Sequence, residues 1–166
     1  MPSTKQWWTR CIMVSLFVSL AMYGCGPDDE DSTSRVDETI LRRWTLASIE
    51  RADGTVVAPD TLYTVTFTQE SAATELRDRL QAALRLSLHD GCNDCEGGYT
   101  VSMAGALSIS IGPCTLRACL VPPALADLFV GALSNASSYE VQGNTLRIVA
   151  MDGESGTRRI LNFSAQ

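Results

Sequence analysis

The stretch of residues 84–119, LRLSLHDGCNDCEGGYTVSMAGALSISIGPCTLRAC, decides the fold of this protein. Its first five residues alternate leucine with polar side chains, which is the period of a half-buried strand. The alternation returns in residues 98–103 and 106–111, and Ala104-Gly105 lies between these two runs as a turn. The stretch therefore predicts one strand followed by an antiparallel hairpin.

Further strands and two helices are predicted outside this stretch. The strands cover residues 44–50 (with a bulge at Ala47-Ser48), 62–68, 137–141, 145–151 and 157–165. Residues 70–84 change to helical spacing, and a second helix opens at Pro122-Pro123 and ends at Asn135. Short strands joined by tight turns indicate a mainly β (α+β) protein, with a small antiparallel sandwich or barrel-like sheet and one or two packed helices.

The first 24 residues are typical of an export signal. Lys5 and Arg10 supply a positive end, and a short apolar stretch follows. The segment ends in Met22-Tyr23-Gly24-Cys25, which resembles the lipobox of bacterial lipoproteins, although its first two residues depart from the preferred ones. This resemblance implies that Cys25 receives lipid and becomes the new N-terminus. The alternative is an ordinary signal that leaves Cys25 as a free thiol.

Residues 25–38 are predicted to form an acidic, flexible tether before a folded domain at residues 39–166. Residues 26–38 of the tether hold six carboxylates and one apolar side chain, so they cannot bury enough surface to fold. Residue 26 is glycine, whereas aspartate at this place favours inner-membrane retention in lipoproteins of this kind. We therefore expect an envelope protein that a lipid anchor holds at the outer membrane.

Composition excludes several classes of function. The chain of 166 residues has a formal net charge of −6, so the basic face that a nucleic-acid partner needs is not expected. It contains one histidine, which excludes a multi-histidine metal site. No G-x-G-x-x-G, P-loop or G-x-S-x-G motif occurs. We therefore expect a non-enzymatic monomer without a cofactor or metal.

The four cysteines within residues 84–119 allow three interpretations. Cys92 and Cys95 form C-x2-C, and Cys114 and Cys119 form C-x4-C after a gap of 18 residues. These spacings are near those of a four-thiolate zinc site, and C-x-x-C is also typical of a redox pair. An even number of thiols in an exported protein favours two disulfides.

The hairpin register suggests how the cysteines pair. A two-residue turn at Ala104-Gly105 places Cys95 opposite Cys114, and the apolar pattern prefers a register one residue away, with a bulge at Gly105. Both registers keep these cysteines within disulfide reach. We therefore predict Cys95–Cys114 and Cys92–Cys119, while a Cys92–Cys95 bridge in a tight turn stays open.

Several short motifs occur together in a familiar order. They are Trp44-Thr45-Leu46, Gly91-Cys92-Asn93, Gly98-Tyr99, Leu107-Ser108-Ile109, Thr115, Cys119, Tyr139-Glu140-Val141, Leu146, Leu161 and Phe163. In this order the chain resembles the META domain of HslJ-like heat-shock proteins and related bacterial lipoproteins over roughly residues 40–165. The resemblance implies a small β-rich fold with a packed helix and a link to stress tolerance. Residues 70–84, Cys95 and Cys114 look like additions to the family pattern.

Three functional hypotheses follow. The first is a non-enzymatic envelope lipoprotein that binds a protein partner or small ligand, or supports stress tolerance. The second is an enzyme or thiol-disulfide redox protein in which His89 serves a cysteine thiol, although alternation places His89 on the solvent-facing side of its strand. The third is a protein-binding or inhibitor module that uses the loop at residues 92–97. In that module Asn93, Asp94 and Glu96 contact the partner, unless the loop is only a turn.

Overall fold

The computed structural model describes residues 37–72, 84–102, 104–119, 123–152 and 156–166. A short 3-10 turn at Glu38–Ile40, capped by Asp37, comes first. The strands are β1 (Arg43–Glu50), β2 (Val56–Val57), β3 (Tyr63–Ser71), β4 (Leu84–Asp90), β5 (Asp94–Val101), β6 (Leu107–Cys114), β7 (Ala136–Gln142), β8 (Thr145–Met151) and β9 (Arg158–Ala165). One α-helix of the described chain, α1, spans Ala126–Ser134 and lies between β6 and β7.

One antiparallel sheet contains all of these strands. Its order is β6-β5-β4-β3-β1-β9-β8-β7, and β2 pairs with the end of β1. The sheet curls into a half-barrel, so that its edges meet at a single bridge between Ala106 and Ser138. There the amide of Tyr139 donates a 2.9 Å hydrogen bond to the carbonyl of Gly105. The predicted fold class, a mainly β barrel-like sheet with a packed helix, is confirmed.

Large apolar side chains fill the concave side of the sheet. The largest fully buried ones are Trp44, Tyr63, Tyr99, Phe67, Phe129 and Phe163. Helix α1 covers this interior, because Phe129 lies with its ring centroid 5.3 Å from that of Tyr63 and 6.3 Å from that of Phe163. The apolar stripe predicted for this helix therefore faces the core.

The helix predicted at residues 70–84 is wrong at both ends. Strand β3 continues through Ser71 and β4 begins at Leu84, and these two residues pair with each other. Pairing across the sheet offers these residues backbone partners that the local helical spacing does not reveal. Residues 73–83, the middle of the predicted helix, lie outside the described residues.

Other boundaries differ less. Helix α1 begins at Ala126 rather than at Pro122-Pro123. The Pro123 carbonyl accepts a hydrogen bond from the Ala126 amide, three residues later, which forms a turn before the first helical residue. It ends before Asn135, as predicted. The irregularity predicted at Ala47-Ser48 is confirmed by the register shift between Leu46 and Ser48 against β9. Strand β2, of two residues, was not predicted, since so short a run has no readable period.

The proposed export signal at residues 1–24 and the tether up to residue 36 lie outside the described residues. Across the described ranges, no helix combines the length and apolar character needed to cross a bilayer.

Candidate functional site

Both predicted disulfides are present at one end of the sheet. Cys92 pairs with Cys119, with Cα atoms 6.2 Å apart, and Cys95 pairs with Cys114. Because all four sulfur atoms are in disulfides, none is available as a thiolate for zinc or as the nucleophile served by His89. The open Cys92–Cys95 pairing is not the one adopted.

The hairpin register explains why Cys95 faces Cys114. Val101 lies opposite Leu107 and Gly97 opposite Ile111, which is the register that the apolar pattern favours. One extra residue on β6, at Gly112-Pro113, then brings Cys95 opposite Cys114. The expected bulge at Gly105 therefore lies at the other end of the hairpin. Pro113 has no backbone N–H to donate to the neighbouring strand. A bulge at this position therefore sacrifices no hydrogen bond from that residue.

The segment Cys114–Cys119, which we call the cystine loop, is fastened at each end by a disulfide. Asp94 anchors the middle of the loop through three hydrogen bonds. Its carbonyl accepts from the Thr115 amide at 2.9 Å, and its amide donates to Thr115 Oγ1 at 3.0 Å. Its carboxylate accepts from Arg117 Nη2 at 2.7 Å. Asn93 Oδ1 accepts from the Arg117 amide at 3.0 Å.

Two of the three residues that the sequence nominated as partner contacts therefore brace the protein's own loop. Asn93 and Asp94 hold the cystine loop, and Asp94 also lies 2.8 Å from Nδ1 of His89. Glu96 accepts a 2.8 Å hydrogen bond from Nε of Arg85. All three side chains thus have internal partners, although Asp94 and Glu96 remain about half exposed.

The most exposed apolar side chain of this end was not singled out from the sequence. Leu116 is 100% exposed, and every residue from 113 to 118 is exposed. The chain forms no helix, strand or turn from Thr115 to Cys119. A leucine between two cysteines was the available signal, but spacing alone does not show which side of a closed loop faces water.

A polar cleft of about 500 Å³ lies next to the loop, on the convex face of β1, β3, β4 and β5. Two rows of side chains cross this face: Thr45, Thr64, His89 and Asp94 in one row, and Arg43, Thr66, Ser87 and Glu96 in the other. His89 is 25% exposed, so it is half-buried rather than fully solvent-facing. Within the described residues, the hydrogen-bond partner of the His89 ring is the Asp94 carboxylate.

Metal ligands are not grouped in the described part of the chain. No cluster of three or more His, Cys, Asp or Glu side chains is placed there to hold an ion. The Asp94 carboxylate, the nearest acidic group to His89, is already shared between the imidazole and Arg117.

The META domain matches residues 38–161, which is most of the chain. The chain belongs to the META domain family. This META domain is similar to a protein from Burkholderia xenovorans solved by NMR, with 21% identity and a TM-score of 0.51 over 78% of this chain and 86% of that one. At that identity the likeness shows the fold alone.

A second solved relative of this META domain is more distant. It is a DUF4847 family protein from Bacteroides vulgatus, with 13% identity and a TM-score of 0.48 over 77% of this chain and 94% of that one. No curated protein matches the sequence.

Proposed function

We propose that this META-domain protein is a non-enzymatic lipoprotein of the cell envelope. In this proposal lipid on Cys25 holds it at the outer membrane, and the domain acts as a monomeric binding accessory in stress tolerance. The N-terminal sequence supports the anchor. Two disulfides within one small domain fit an oxidising compartment outside the cytoplasm.

The observation that carries the binding role is the exposure of Leu116 on a braced loop. A leucine in water contributes nothing to folding, whereas its burial in a partner is favourable by about 2 kcal/mol. The two disulfides and the contacts to Asn93 and Asp94 already hold the loop in one shape. A pre-ordered loop loses little conformational entropy on association, which favours a protein partner at this end.

The anchor is tested by the intact mass of the protein from the membrane fraction, alkylated without reduction. We expect the mass of residues 25–166 plus lipid, with no alkyl group added. Cys25→Ser removes the acceptor thiol and should release the protein from membranes while leaving both disulfides intact. A native mass without lipid, or alkylated domain cysteines, would contradict the proposal.

The binding role is tested by a photo-crosslinking amino acid placed at position 116 in the native envelope. Position 56 is the matched control, because Val56 is also an exposed apolar residue, 64% exposed, but lies on strand β2, which pairs with β1 and is not part of the cystine loop. We expect a discrete crosslinked product from position 116 and none from position 56. Equal products from both positions, or none from position 116, would remove the binding role from this loop.

A further inference from the structure

We propose that the cystine loop inhibits a serine endopeptidase by occupying its substrate cleft, with Leu116 in the specificity pocket. The inference rests on the proposed function, because it names the class of partner that the loop binds. It assigns the contact to residues 114–119 and not to the loop at residues 92–97.

The shape of the loop is the first argument. An endopeptidase binds its substrate as an exposed segment that projects from the surface and inserts one side chain into a pocket. Residues 113–118 are consecutively exposed, and no helix, strand or turn removes Thr115 to Cys119 from reach. Leu116 lies at the centre of this segment and is completely exposed.

The bracing of the loop is the second argument. Thr115 and Arg117, on either side of Leu116, are each held by hydrogen bonds to the Asn93-Asp94 backbone or side chains. The leucine between them makes no such bond to the described residues and is free to enter a pocket. A loop already fixed on both sides of its anchor binds with little ordering cost.

The disulfides account for inhibition instead of simple cleavage. Hydrolysis of the bond between Leu116 and Arg117 consumes one water and leaves a carboxylate on the first residue and an amine on the second. Cys114 and Cys119 stay tied to Cys95 and Cys92, so the two new ends remain adjacent. The reverse step then returns the same water and restores the bond, because the reacting groups are held together.

The side chains of the cystine loop indicate which specificity pocket the protease has. Arg117 forms an exposed ion pair with Asp94 at 2.7 Å, whereas the Leu116 side chain is completely exposed and apolar. Leucine fits the hydrophobic pocket of chymotrypsin-like specificity, whereas a pocket with an aspartate at its base selects a basic residue. The partner is therefore an endopeptidase with an apolar specificity pocket.

The test uses the full chain, purified in detergent with its disulfides intact, and the hydrolysis of small chromogenic peptides. Chymotrypsin and subtilisin are the apolar-pocket probes, and trypsin is the basic-pocket probe. We expect the wild-type protein to inhibit the first two. Leu116→Asp should weaken inhibition by about 100-fold, as for an interface anchor, while Val56→Asp should leave it unchanged.

Leu116→Lys distinguishes direct contact with the specificity pocket from a role of Leu116 in holding the loop in shape. We expect this variant to lose inhibition of chymotrypsin and to gain inhibition of trypsin, because only the pocket residue has changed. Wild-type protein that leaves both apolar-pocket enzymes fully active, or that is digested at residue 116 as an ordinary substrate, would overturn the inference. A persistent crosslink from position 116 in the envelope would then retain the binding role with a different class of partner.

Discussion

The phenolic hydroxyl of Tyr63 donates a 2.7 Å hydrogen bond to Oδ1 of Asp60, although the tyrosine is completely buried. The other carboxylate oxygen accepts from the Ala124 amide at 2.8 Å, and the tyrosine oxygen accepts from the Leu125 amide at 3.3 Å. These bonds fasten the entry of α1 to strand β3. Burial and the neighbouring Asp60 carboxylate raise the pKa of Tyr63, and the tyrosine hydroxyl holds the pKa of Asp60 below its usual value.

Tyr63→Phe should destabilise the domain. The ring packing is kept, but the buried Leu125 amide loses its acceptor, which costs about 1–3 kcal/mol. The free energy of unfolding in urea measures the loss. Tyr99→Phe is the control, because within the described residues the Tyr99 hydroxyl donates to the Thr68 carbonyl at 3.0 Å and accepts from no buried amide. No change for Tyr63→Phe would show that the hydroxyl does not support the helix entry.

The effect of Tyr63→Phe should depend on pH. A carboxyl with a lowered pKa in the folded state stabilises the fold above its unfolded pKa of about 3.9. That contribution is lost as pH falls through the folded pKa. The tyrosine hydroxyl is the largest cause of the lowered Asp60 pKa, so the variant and the wild type should become more alike as the pH falls below about 4. Tyr99→Phe involves a neutral acceptor, and its deficit should stay constant over the same range.

Two glycine-to-alanine substitutions should change the free energy of unfolding in opposite directions. A Cβ on Gly97 would lie 2.6 Å from the carbonyl oxygen of Ser110 on the neighbouring strand, so the backbone must shift at a cost of about 1–3 kcal/mol. A Cβ on Gly131 meets nothing within 4 Å in helix α1. Gly131→Ala should therefore stabilise by about 1 kcal/mol through helix propensity. Thermal unfolding compares both, and a stabilising Gly97→Ala would contradict the close strand approach.

Removing the Cys92–Cys119 disulfide should loosen the cystine loop without opening the sheet. A bridge of this span contributes about 3 kcal/mol in the loop-entropy description, and less here because Cys95–Cys114 already closes most of the same chain. In Cys92→Ser/Cys119→Ser we expect faster hydrogen exchange at the Thr115 and Arg117 amides. The Tyr99 amide on β5 should stay protected. Unchanged exchange at both loop amides would show that Asn93 and Asp94 brace the loop by themselves.

Part of the candidate site could be predicted from the sequence. The alternation of residues 84–88 and 106–111 placed the strands, and the hairpin register brought Cys95 opposite Cys114. The residues proposed for partner contacts were assigned from loop position alone. Their internal bonds to Arg117, His89 and Arg85 depend on which segments the folded chain brings together.

The sequence by itself determined the strand periods and the apolar face of α1, and it favoured the observed cysteine pairing over the alternatives, because each depends on spacing within a short stretch of chain. Only the tertiary structure decided that β3 and β4 extend into the predicted helix, that the sheet edges meet at Ala106 and Ser138, and that Leu116 faces water. These features arise from contacts between residues far apart in sequence. Local periodicity describes which face of an element is apolar, whereas packing of distant elements decides which faces become covered.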